Sequence, residues 1–220
     1  DVCSSDLDDK HKCRMFACPS NLATGRVKNP FHPYVCGIGY FGIGKYEARI
    51  NGKLTPEYSA WNGMLARCYD EKVTNKHPTY KDCEVCEEWH NFQVFAEWYV
   101  NQKHYGLGYD LDKDIIFKGN KLYSPETCTL SPQEINKLLL ENPSIRGEYP
   151  MGVCYFKRVG RFMAGVKMYG RRVHLGYFDT VEEASQAYQK AKKKHIKKVA
   201  LEWKDRIDER LFDALMQRAM

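Results

Sequence analysis

Arg161-Phe162-Met163-Ala164-Gly165-Val166-Lys167-Met168-Tyr169 alternates without a break. In an extended chain Phe162, Ala164, Val166 and Met168 fall on one side, and Arg161, Lys167 and Tyr169 on the other. Arg172-Val173-His174-Leu175 continues the pattern with Val173 and Leu175 inward, and Gly152-Val153-Cys154-Tyr155-Phe156 supplies a preceding strand. Thr180-Val181-Glu182-Glu183 then has the form of a capping box, the signature of a helix start. Ala184, Ala187, Tyr188 and Ala191 recur at helical spacing and give a small-residue stripe able to lie close on the apolar side of three antiparallel strands. The cations share the other side, which is left free for a groove.

Charge supports that division. Residues 150–200 hold twelve Lys or Arg against three Asp or Glu, an excess of nine positive charges in a chain whose formal net charge is +6. The remainder is therefore net negative, and the basic block reads as a polyanion-binding module. At 220 residues and 43% hydrophobic, the chain has material for two small cores. No apolar run approaches the ~20 residues that cross a bilayer, and no signal-peptide pattern is present, so a cytoplasmic protein is expected. Nine cysteines without secretory context are expected to be reduced, mostly as small core residues.

The organisation predicted upstream is modular. Residues 1–27 are polar and expected to be poorly structured; Asp1 to Leu7 resembles translated adapter sequence and carries no functional expectation. Residues 28–55 read as a β-hairpin region turning at Asn51-Gly52, with a weak echo of 152–166 in Gly37 to Ile50. Trp61, Met64, Leu65 and Cys68 predict one amphipathic helix, and Trp89, Phe92, Ala96 and Tyr99 a second. A linker is placed at 143–150, and 201–220 is expected to be an amphipathic helix that covers the sheet module or meets a partner.

Between 109 and 139 the pattern is strand, loop, strand, helix. Folding the second strand beside the first brings the helix, and Asn136 on it, near Asp112. A carboxylate with an amide oxygen suits a hard cation such as Mg²⁺ or Mn²⁺. Cys83-Glu84-Val85-Cys86 has zinc-knuckle spacing, with Cys68 and Cys128 as further thiols. A second close Cys or His pair is missing, so a structural zinc is not expected.

Two resemblances follow from these residues. Residues 151–197, through GV, GRF, the Ala164 and Val166 pair, RVHLG, YFDT, EEA and AY, resemble the Apetala-two/ethylene-response-factor (AP2/ERF-like) DNA-binding domain. That resemblance implies a three-stranded sheet lying in the major groove, with Lys167, Arg172 and His174 as DNA contacts. His174 replaces a family tryptophan; Met151 and Cys154 stand where arginines are usual, and Lys157, Arg158 and Arg161 are expected to compensate. Residues 28–140, through Trp61 to Tyr69, Val85 to Trp89 and the 109–139 pattern, resemble phage and mobile-element HNH endonucleases, many of which carry the same sheet module as a reader.

The second resemblance implies an α+β protein with a small ββα-metal nuclease-like domain over 56–142, followed by the sheet-plus-helix DNA-binding domain over 151–200. It implies a metal-dependent DNA endonuclease acting on double-stranded DNA in a bacterial host cytoplasm, with Asp112 and Asn136 as ligands of Mg²⁺ or Mn²⁺. Lys113 falls at the general-base histidine and Thr127 at a structural asparagine. A lysine of ordinary pKa ~10.4 holds a phosphate better than it activates water, which leaves Asp114, His90 or His104 as substitute bases and Lys113 or Arg67 as phosphate contacts. The alternative is a non-catalytic DNA-binding protein with a decayed nuclease domain.

Overall fold

The computed structural model describes residues 3–8 and 13–17 as backbone elements, and 29–140 and 148–220 in full. The fold is α+β and divides into two compact units: residues 1–114 with 118–128, and residues 115–117 with 129–220. This division runs through the 109–139 stretch that the sequence reading keeps together. Asp112 belongs to the first unit and Asn136 to the second.

In the first unit, β1 (Cys3–Asp8) and β2 (Cys13–Ala17) pair antiparallel, within a segment expected to carry little structure; the rest of 1–27 lies outside the described residues. The predicted hairpin is present as β3 (Arg49–Ile50) and β4 (Lys53–Leu54). Its turn places Asn51 and Gly52 at φ 50° and 77°, the left-handed pair that suits a two-residue connection. The echo of the sheet goes no further: Tyr40 bridges to Asn91 instead of forming a strand of its own.

Helix α1 (Pro56–Tyr69) begins at Thr55, whose hydroxyl accepts from the Tyr58 amide, with Pro56 in the first turn where its missing N–H costs nothing. Asp70 ends it and caps the short α2 (Glu71–Lys76). Trp61, Met64 and Leu65 are buried, as are Trp89, Phe92, Phe95 and Ala96; the Trp61 ring lies 5.4 Å from that of Phe92, and its indole donates to the Trp89 carbonyl at 2.7 Å. The predicted second helix is split. Trp89 sits in a 3-10 turn (Glu87–His90), and Asn91 caps a fresh helix, α3 (Phe92–Val100), by accepting from the Gln93 amide. β5 (Glu84–Val85) runs parallel to β7 (Leu122–Tyr123), and the acidic strand contracts to β6 (Asp110–Asp112).

The second unit holds β8 (Thr129–Ser131), α4 (Gln133–Leu139), β9 (Val153–Phe156), β10 (Arg161–Met168), β11 (Arg171–Phe178), α5 (Val181–Trp203) and α6 (Glu209–Arg218). Strands β9, β10 and β11 form the predicted antiparallel sheet with β10 central. The capping box is complete: the Thr180 hydroxyl accepts from the Glu183 amide at 3.2 Å, and the Glu183 carboxylate accepts from the Thr180 amide at 3.3 Å. The first half of α5 seals one sheet face, with Ala184 and Ala187 on Val153, Ala164, Phe162 and Leu175. Its small side chains permit that approach. Residues 141–147 of the expected linker lie outside the described residues, while Tyr149 already packs on Phe162, ring centroids 5.4 Å apart.

The second half of α5 serves a different core. Ile196, Val199 and Ala200 pack with Ile115, Ile135 and Leu138 and with Leu211 and Leu215 of α6. The C-terminal helix therefore covers the extension of α5 and α4, which resolves the choice its amphipathic pattern left open. Each fully buried leucine here contributes roughly 1.5–3 kcal/mol. Among the described residues no helix is long and apolar enough to cross a membrane.

Candidate nucleic-acid interface and candidate metal ligands

Residues that face each other across antiparallel strands share a sheet face, so the register settles what points away from α5. Lys167 stands opposite Arg172, Gly165 opposite His174, and Met163 opposite both Tyr177 and Cys154; Arg161 stands opposite Phe156. The partners on the helix side are Phe162 with Phe178, Ala164 with Gly176 and Val153, and Val166 with Val173. A bulge between Ala164 and Gly165 gives β11 one extra residue, Leu175, between Gly176 and His174. It resets the alternation so that both Leu175 and Val173 stay on the apolar side while His174 and Arg172 remain outward.

Arg161, Lys167, Arg172 and His174 thus lie on one face, and Lys167, Arg172 and His174 are exposed. Lys157 and Arg158 are exposed in the β9–β10 turn. Arg172 lies across the strand: a Cβ at Gly165 would stand 3.3 Å from its Nε, so the absent side chain makes its bed. Arg161 is less available. Its Nη2 donates to Asp179 at 2.9 Å and its Nε lies 2.8 Å from the other carboxylate oxygen, a two-point pairing with the residue just before the helix cap. The YFDT motif carries that partner, Asp179, one residue before the cap.

Tyr169, expected beside the cations, is not there. It turns the β10–β11 hairpin at φ 47° and packs on α5, its hydroxyl donating to Glu202 at 2.7 Å, its ring 4.8 Å from His195 and under the Lys198 ammonium. Burial and the Glu202 hydrogen bond push its phenol up to about 12. In its place the outward face carries aromatic residues, Tyr177 being turned outward by the bulge against the parity of RVHLGY: Tyr177 is 4.8 Å from His174 and 5.6 Å from Phe156, centroid to centroid.

The residues of the proposed metal centre are occupied locally. Asp112 accepts from the Asp114 amide at 2.9 Å, an Asx-type turn, and Asn136 is half-buried on α4. Lys113 is 6% exposed; its ammonium donates to the Asn120 carbonyl at 2.8 Å and meets Asp114 at 3.2 Å. These contacts tie the two ends of the 113–120 loop together. His90 donates to the Val85 carbonyl at 3.2 Å, and His104 is buried beside Tyr109. Among the described residues no group of three or more His, Cys, Asp or Glu is arranged to hold a metal.

Burial pushes the Cys68 and Cys128 thiols up to about 12 and Cys86 to about 11, so these cysteines are neutral at physiological pH. Arg67 is the more suggestive side chain of the first unit. Its Nε donates to the Tyr123 hydroxyl at 3.2 Å, and its guanidinium lies 5.8 Å from the ring centroids of both Tyr80 and Tyr123. No described carboxylate pairs with it. A guanidinium held by neutral groups keeps donors for an external anion.

Comparison of the chain with protein-family models, curated proteins and solved structures finds no match.

Proposed function

We propose that this protein binds duplex DNA through the outward face of the β9–β10–β11 sheet. One observation carries the reading: cations and aromatic side chains share a single exposed face whose opposite side is sealed by α5. Along β10, Lys167 lies six positions beyond Arg161, on the order of 20 Å of extended chain. Basic groups at Lys157 and Arg158 on one end and at Lys167 and Arg172 on the other therefore suit the two phosphate rims of a groove about 12 Å wide. Phosphate neutralisation supplies affinity, and the side chains between the rims meet base edges.

The second reading adds metal-dependent cleavage of the phosphodiester by the first unit, as in the phage-type endonucleases the sequence resembles. Arg67, held without a carboxylate, favours it as a phosphate contact. The fit of a divalent metal is incomplete: Asp112 offers one carboxylate already engaged with an amide, and Lys113 is committed to the Asn120 carbonyl.

Incubation of the full chain with supercoiled plasmid and Mg²⁺ or Mn²⁺, beside a gel-shift titration without metal, separates the readings. Binding without nicking supports the module alone. Nicking that Asp112→Ala abolishes supports the endonuclease. A protein indifferent to duplex DNA at low salt contradicts both.

A further inference from the structure

The outward face is graded. Its cations sit at the ends, and its middle row is Cys154, Met163 and Tyr177, with the Phe156 ring tilted against Tyr177 at 5.6 Å between centroids. None of the middle row is a carboxamide or a guanidinium, the groups that read adenine or guanine by paired hydrogen bonds. Arg161, at one end of the row, is paired with Asp179, and Arg172, at the other, lies across Gly165.

We propose that this middle row reads the C5-methyl group of pyrimidines in the major groove, and so prefers duplexes rich in thymine. The inference rests on the duplex-binding reading above and assigns its base preference. The chemistry follows from what the groove displays: the thymine methyl is the one apolar group among the base edges, and unmodified cytosine has a bare C5 in its place. The thioether of Met163 is polarisable and flexible enough to pack on a methyl, and the ring of Tyr177, 36% exposed, offers a flat apolar side next to it. Arg172 and His174, at the edge of this row, remain for phosphate or a single base-edge contact.

Burying one methyl against such a surface is worth about fourfold in affinity. Two or three methyl contacts give roughly 15- to 60-fold. The same surface should gain from 5-methylcytosine, which carries a methyl at the same ring position.

The test uses the full chain and pairs of duplexes of one A·T-rich sequence, one built with thymine and one with deoxyuracil. The thymine duplex is expected to bind at least about tenfold tighter, and a G·C-rich duplex is expected to gain when cytosine is replaced by 5-methylcytosine. Met163→Ala is expected to shrink the ratio of thymine-duplex to deoxyuracil-duplex affinity by about fourfold, whatever it does to the affinity for either duplex alone. Equal binding of the thymine and deoxyuracil duplexes by the unaltered protein, with both bound in a salt-dependent manner, overturns the methyl inference and leaves duplex binding standing. Failure to bind either duplex overturns both.

Discussion

Gly152 and Gly170 separate two costs that usually arrive together. Both have left-handed backbones, φ 80° and 79°. A Cβ at Gly170 would meet nothing within 4 Å, whereas one at Gly152 would stand 2.1 Å from Cδ2 and 2.5 Å from Cε2 of the Tyr188 ring on α5. Gly170→Ala therefore bears the backbone penalty alone, about 1–2 kcal/mol. Gly152→Ala bears the same penalty plus the cost of displacing a packed aromatic ring, a further 1–3 kcal/mol or about 2–5 kcal/mol in total. For a unit of this size those losses lower the melting temperature by roughly 5–15 °C and 10–30 °C respectively. Scanning calorimetry of the full-length chain, following the transition of the second unit, measures both. Equal shifts for the two variants would refute the close seating of Tyr188 on the turn before β9, and with it the geometry that fixes the sheet's outward side.

Asp179→Asn releases Arg161 from its two-point pairing, so duplex binding is expected to tighten and its log–log salt slope to steepen by about 0.9; filter binding across a salt series measures it. His195 is buried against Tyr169, and burial, then Lys192, lowers its pKa. The unfolded chain then binds the proton more readily, so stability present above pH ~6.5 is lost as pH falls below it; urea titrations from pH 7.5 to 5 should show that slope, and His195→Phe should flatten it. Lys113→Met removes the donor to the Asn120 carbonyl and is expected to destabilise the first unit by about 1–3 kcal/mol in urea unfolding. An unchanged midpoint would return Lys113 to the list of functional candidates.

The sheet was readable because period-two alternation over nine residues leaves little else for the chain to do, and because Thr180 and Glu183 announce the helix that covers it. The bulge at Leu175 was not readable: RVHLG alternates correctly as far as Leu175, and the extra residue shows only in the pairing with β10. Tyr169 misled because alternation was carried one residue past the strand end into a left-handed turn. In the first unit the aromatic spacing identified the buried face, but Asn91 capped a new helix inside the predicted one. Lys113 shows the limit most clearly. A motif position says which side chain stands there, while burial and the Asn120 carbonyl decide what it does.

The salt dependence of duplex binding by Lys167→Gln/Arg172→Gln tests the central claim most directly, since these exposed residues stand opposite each other on the outward face. Each lost phosphate contact lowers the slope of log affinity against log salt by about 0.9, so the double variant should lose about 1.8. A folded double variant whose slope and affinity match the unaltered protein would contradict the assignment of this face to DNA.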